Sequence, residues 1–267
     1  MTEIIARRQF NPSYIILDLI FLIIFALLLL WKKKYMTFAV GIVMGIVYML
    51  VDYDIFHLLT HSRSITDGYS MFWVLLWMSM SYGFTNFSWI WLWLSRDKNI
   101  FEWSLLILSW WFVCPILDKT CRYFMFPDSN PIVIQRTTGA YHGFMALILF
   151  VGYLGAIIYN LRQTKNERRI DIPHILTIGI LVQFGWEAGL LLGGIRSAGF
   201  TLEEKLIPLI VNSLLETNLG MPYVYLIFIS LTSKFTEQLR RRKTPLSLTD
   251  RIEENNSSGN SSFRAYR

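Results

Sequence analysis

The run YIILDLIFLIIFALLLLW, residues 14–31, carries a single charge, Asp18, and stops at Lys32-Lys33-Lys34. About 20 consecutive apolar residues is the length at which an α-helix crosses bilayer hydrocarbon. Lipid offers the backbone no hydrogen-bond partners, so such a run must satisfy itself as a helix. It is long for a signal peptide and ends on a basic cluster without a small-residue cleavage site, so it reads as a span. Six further apolar runs follow, near 36–56, 70–94, 100–118, 132–160, 173–195 and 206–232. The expected fold is therefore all-α, a polytopic membrane bundle of seven transmembrane helices. The fifth run exceeds what a bilayer needs, which implies tilt or a start outside the hydrocarbon.

Composition agrees. Of 267 residues 54% are hydrophobic and 16% charged, where a soluble domain carries about 25% charged residues. A soluble two-domain protein is excluded. Lys and Arg set the orientation. One set of flanks, from Lys32–34 through Arg96, Lys98, Arg162 and Arg169 to the C-terminal cluster, holds 17 basic residues, and the other holds 8. This places the N-terminus outside or in a lumen and the C-terminus in the cytoplasm. The net charge of +6 then follows from topology, and no nucleic-acid partner is implied. Residues 1–235 form the transmembrane domain. Residues 236–267 turn polar and Ser/Asn-rich, a basic segment followed by a disordered cytoplasmic tail. Cys114 and Cys121 form no ligand motif, and a disulfide between them has no support. No inverted repeat is legible.

The polar residues gather on one side. Asp18, Asp52, Asp54, His57, Asp118, Arg136, His142 and Arg196 all fall toward the outer ends of their helices, whereas the inner half offers little beyond Asn86 and Glu102. Two glutamates lie deeper. At 1.5 Å per residue Glu187 is roughly 20 Å from the inner end of the sixth span, and Glu216 roughly 15 Å below the outer end of the seventh. Each follows an amide by four residues, Gln183 before Glu187 and Asn212 before Glu216, so each pair shares a helical face. In antiparallel neighbours Gln183 reaches the depth of Glu216, and Asn212 approaches that of Glu187. Two amide–carboxyl contacts would then cross one seam. Helix glue is one reading of these acids. A pathway or site is the other, because intramembrane acids are costly and usually functional.

Asp54, His57 and His61 fall at i, i+3 and i+7, a stripe that could bind zinc if Asp118 or His142 completed it. Polar residues at a membrane boundary are the simpler account, and neither a metal nor an organic cofactor is implied. The clusters WIWLW (89–93) and SWW (109–111) read as interface anchors and lipid-facing bulk.

The stretch GFTNFSWIWLWLSRDKN, 83–99, resembles a segment of the seven-helix membrane-bound terpene cyclases of meroterpenoid and indole-diterpene pathways, which share an Asn-aromatic-small-Trp run before a short polar loop. The resemblance covers about two of the seven helices. It implies a helical bundle without a metal motif, with acids that protonate an epoxide or alkene, and Glu216 sits compatibly. This chain departs at Ile90, where those enzymes carry Glu directly after the Trp.

Three function classes follow. The first is an enzyme acting on a lipid or isoprenoid, with Glu216 and Glu187 as catalytic acid or base. Asn212, Gln183, Arg136, Arg196, His142, Asp118 and Asp54 would then bind a hydrophobic small-molecule substrate drawn from membrane lipid. The second is a proton- or cation-coupled transporter using the same glutamates, and the third a seven-helix receptor or assembly factor. Polar residues confined to one half favour the enzyme, since a carrier needs a route through both halves. Oligomeric state is not legible.

Overall fold

The computed structural model describes residues 5–137, 141–164, 169–196 and 201–242. Its helices are α1 (Pro12–Trp31), α2 (Tyr35–Met49), α3 (Met71–Ser79), α4 (Thr85–Leu94), α5 (Ile100–Met125), α6 (Tyr141–Arg162), α7 (Ile172–Leu192), α8 (Leu202–Leu215) and α9 (Met221–Arg242). Among the described residues five helical segments are long and apolar enough to cross a membrane: Pro12–Trp31, Tyr35–Leu59, Ile100–Met125, His142–Arg162 and Ile172–Leu192. Contacts divide the chain into one unit, Met1–Tyr225, and a second that begins at Leu226. Everything that follows lies in the first. The tail from 243 onward, expected to be disordered, lies outside the described residues.

Two helices change winding. α2 runs on into a π-helical stretch, Leu50–Leu59, and a second π-helical stretch, Met80–Phe84, joins α3 to α4. Their i→i+5 hydrogen bonds widen the turn and rotate side chains off the 3.6-residue period, a distortion that recurs at functional sites. Residues 71–94 are thus helical throughout, yet this segment is not among the five apolar ones. Ser79, Ser81, Tyr82, Thr85, Asn86 and Ser88 lower its apolar character, and it is also packed inside the bundle. Trp89 and Trp91, expected to face lipid, are buried, as is every residue from Ser81 to Leu92. Small residues let neighbours close on this helix: a Cβ added to Gly83 would stand 2.7 Å from the Gly45 Cα of α2, so the two backbones meet there.

The all-α expectation fails at one end, where three strands pair: β1 (Ile5–Phe10), β2 (Arg63–Ile65) and β3 (Ile132–Thr137) form an antiparallel sheet in the order β1-β3-β2. β3 takes the beginning of the expected fifth helix. Its Ile-Val-Ile-Gln-Arg alternates in the period of two that suits a one-sided strand, with Ile132 and Ile134 buried and Val133 and Gln135 half-buried. Residues directly opposite in an antiparallel pair share a face. Register therefore puts Arg8 and Ile134, Phe10 and Ile132, and Arg63 and Arg136 together on the inner face. Phe10 fixes the sheet to the bundle through edge contacts with Trp77, ring centroids 5.1 Å apart. The expected seventh helix is also broken. α8 ends at Leu215, and Glu216–Gly220 form a turn before α9 begins.

Candidate functional site

The inner face of the sheet brings Arg8, Arg63 and Arg136 over the helix ends, and Arg196, just past α7, joins them through a backbone bridge to Arg8. Two arginines directly opposite on one face repel. Asp52, turned inward on the first π-helical stretch, answers both: Arg63 Nη2 donates to its carboxylate in a short contact, and Arg136 Nη1 stands 3.8 Å away. Arg136 Nη2 also donates to Glu216 at 2.8 Å, and its guanidinium lies over the Phe56 ring at 5.0 Å.

A polar network spreads from Glu216. Gln183 Nε2 donates to its second carboxylate oxygen at 2.9 Å. The Gln183 carbonyl accepts from Tyr82 Oη at 2.6 Å and from Thr217 Oγ1 at 2.5 Å. Tyr48 donates to Tyr82 at 3.3 Å. On the same seam Asn212 Nδ2 donates to Glu187 at 3.3 Å. Both amide–carboxylate contacts read from the four-residue spacing are therefore present. Glu187 also faces Arg196, with Nη2 donating at 3.2 Å and Nε 3.0 Å from the other oxygen. Neither glutamate is a lone acid. Each meets a guanidinium, which offsets the desolvation that an isolated buried charge would suffer.

Burial lowers the Arg63 guanidinium to about 10, against the opposing pull of Asp52, and lowers Arg196 despite Glu187. Burial works the same way on Arg136, but Glu216 and Asp52 outweigh it and hold Arg136 above its ordinary value. All three are cations at neutral pH.

Beneath the arginines lies a cavity of about 560 Å³, within the range of small-molecule sites. Its closed end is polar, made by Arg8, Arg63, Arg136, Arg196, Asp52, Glu216, Ser79 and Tyr82. Its walls are apolar, with Met44, Val51, Phe56, Met78, Phe87 and Met145 among them. The lining residues that are themselves exposed are Val47, Ile55, Phe144 and Ile148, all apolar, from the α2 helix with its π-helical extension and from α6.

The sequence-expected residues divide. Glu216, Gln183, Arg136, Arg196, Asn212 and Glu187 come together. Their order of burial reverses expectation, because Glu187 is wholly inaccessible and off the cavity, whereas the break after α8 turns Glu216 onto its wall. His142 lies beside Asn212 but does not line the cavity. Asp118 is elsewhere, accepting from Asn11 Nδ2 at 2.8 Å and, in a short contact, from Ser13 Oγ, so it fastens the entry to α1. Asp54 shares the π-helical stretch with Asp52 but stays off the cavity. The π-helical stretch ends at Leu59 and His61 has a left-handed backbone, φ 49°, so the Asp54, His57 and His61 stripe does not continue along one helix. Among the described residues no three His, Cys, Asp or Glu side chains converge as a metal site would require. Cys114 and Cys121 are free.

Sequence reasoning missed Arg8, Arg63, Asp52, Ser79 and Tyr82. The arginines carried a signal, since each sits on a flank assigned to the same side of the bundle. No family model, curated protein or solved structure matches the chain.

Proposed function

We propose that the chain is a multi-pass membrane enzyme that takes a lipid or isoprenoid substrate into the cavity under the sheet, with Glu216 as the group that moves a proton. In this reading seven spans cross the bilayer, residues 71–94 being the third and the broken α8–α9 segment the seventh. The sheet faces the outside or a lumen, a placement the basic flanks favour. The observation that carries it is the cavity itself, polar where it is closed and apolar where it is exposed. Such a shape suits a molecule with a polar reacting end and a hydrocarbon body. Of the two acids on its wall, Asp52 faces two arginines, whereas Glu216 has the Tyr48–Tyr82–Gln183 chain behind it, which orients its carboxylate and links it to further hydroxyls. Paired with Arg136, Glu216 starts as a base, so the proton is first taken from substrate. Ile90 is buried where the resembled cyclases carry Glu, and an acid at that place has no part in the mechanism.

The test is substitution at Glu216 joined to a lipid comparison. Cells lacking the gene should accumulate a lipid precursor. Glu216→Gln, expressed in their place, should be folded and abundant yet leave that precursor in place, while Glu216→Asp should restore part of the conversion. Full conversion by Glu216→Gln removes Glu216 from the chemistry.

One observation favours a transporter instead. Discontinuous helices with a break at the binding site are a device of secondary carriers, and the seventh span breaks at Glu216–Gly220. Carriage needs a path on both sides, however, and the polar lining stays at the sheet end. Solute uptake by proteoliposomes, blocked by Glu216→Gln with an unchanged lipid profile, would favour the carrier.

A further inference from the structure

The polar end of the cavity is built for an anion. Arg8, Arg63, Arg136 and Arg196 line it, and three carboxylates answer them: Asp52, Glu216 and, behind Arg196, Glu187. One positive charge is left over, and the pairing identifies it. Arg63 has Asp52, Arg136 has Glu216 and Arg196 has Glu187, whereas Arg8 pairs with no carboxylate among the described residues. Its guanidinium lies instead over the Trp186 ring, 6.0 Å from the centroid, a contact that orients a cation without neutralising it.

A second observation is independent of the charge count. Among the described residues four lining side chains have a buried polar atom with no hydrogen-bond partner, Arg63 Nε, Arg136 Nε, Arg196 Nε and Ser79 Oγ; Arg196 Nε stands 3.0 Å from the Glu187 carboxylate, which leaves three open. Buried polar groups are nearly always satisfied. Two of the three are obligate donors and the hydroxyl can donate, so what completes them is an acceptor with several oxygens. Guanidinium groups grip phosphate and carboxylate oxygens through paired N–H donors. Four donor residues around one head exceed what the two oxygens of a carboxylate can readily serve, and suit a phosphate.

The mouth supplies the other half. Every exposed lining residue is apolar, and Phe144 and Ile148 belong to α6, a helix with only 6% of its span buried. A free anion gains nothing from such an entrance, whereas a hydrocarbon chain can lie in it while the head reaches the arginines.

We propose that the cavity holds a phosphate-bearing amphiphile, its head on Arg8 and the free donors of Arg63, Arg136 and Ser79, its chain leaving between α2 and α6. This rests on the lipid-substrate reading above and narrows it to an anionic head.

The experiment measures equilibrium binding to the purified full chain in neutral detergent, with farnesyl phosphate, farnesol, farnesoic acid and inorganic phosphate as probes. The expected order is farnesyl phosphate tightest, with farnesol weaker by about tenfold or more, the effect of losing one charge-assisted contact. Arg8→Gln should remove most of that preference, and Arg8→Lys should keep part of it. Thermal midpoints of both variants should match the parent, which separates lost binding from lost fold. Equal binding of farnesol and farnesyl phosphate overturns the anionic head and leaves the lipid reading standing. Farnesoic acid binding as tightly as the phosphate overturns the choice of phosphate. Inorganic phosphate binding as tightly as farnesyl phosphate keeps the anion site but overturns the lipid reading. An unchanged preference in Arg8→Gln overturns the role of Arg8, and no binding by any probe overturns the proposal.

Discussion

Two buried carboxylates show how differently this bundle uses an acid. Asp18, on α1, accepts the indole N–H of Trp77 and that of Trp110, each at 3.0 Å. Around it Phe21 stacks on Trp110 at 4.9 Å, and Tyr14 meets Trp77 edge-on at 5.9 Å. Among the described residues no Lys or Arg pairs with it. Glu216 is held by Arg136 and Gln183 and borders open volume. Indole donors satisfy Asp18 while their rings fill the space beside it, so nothing is left for a ligand. Guanidinium donors satisfy Glu216 and still have N–H groups to spare, so a ligand oxygen can share the arginine. Burial alone does not distinguish a site from a fastening. The chemistry of the donor, and the space beside it, does.

The contrast predicts different losses on substitution. The largest is expected at Arg196→Leu, which strands the wholly buried Glu187 without its cation. Breaking a buried pair from one side costs about 3–5 kcal/mol, read as a fall in thermal midpoint or in folded yield. Adding Glu187→Leu should recover most of it, and no recovery would show that Arg196 works through the sheet rather than the pair. Next comes Asp18→Ala. It orphans the buried Trp77 donor, at about 1–3 kcal/mol, and adds little at the half-buried Trp110, which can turn to water, while activity per folded molecule should hold. Lost activity with unchanged stability would erase the distinction between the two acids. Glu216→Gln should cost less stability, about 1–2 kcal/mol, because Gln keeps the shape and Arg136 retains Asp52 nearby, yet it should abolish turnover.

The sequence made the seam between α7 and α8 legible, because an amide four residues before a carboxylate is a local pattern that geometry converts directly into a contact. It did not reveal what covers the seam. The strands IARRQF, RSI and IVIQRT are short and far apart in the chain, and their pairing depends on tertiary closure rather than on propensity. Only the alternation in β3 was a usable clue, and an apolar run masked it. The π-helical stretches leave no periodic mark, so the inward turn of Asp52 and Tyr82 could not be read. Trp89 and Trp91 misled for a further reason. Tryptophan at an interface and tryptophan in a packed centre look alike in sequence. The small residues Ser81, Gly83, Thr85 and Ser88 beside them were the better signal, since they mark a helix that neighbours approach closely.

A third carboxylate, Asp97, provides the smallest and cleanest test. It lies in the loop between α4 and α5 and pairs with Lys34 in a short contact, while the Asn99 backbone N–H donates to it at 2.9 Å. Burial pushes the carboxyl up, but the Lys34 ammonium and the Asn99 N–H outweigh it and hold it below its ordinary 3.8. A carboxyl whose folded pKa is depressed stabilises the fold fully above its unfolded value, and that contribution fades as pH falls toward the folded one. Wild type and Asp97→Asn should therefore differ most in thermal midpoint near neutral pH and converge as pH drops below about 4, because the proton abolishes in wild type what the substitution has already removed. The half-exposed Lys34 keeps the difference small. Asp18 lacks a cationic partner, so Asp18→Asn should not reproduce this convergence. If it did, indole donors and ammonium would be holding their acids in the same way, and the distinction between the two kinds of buried carboxylate would have to be drawn from the space beside them alone.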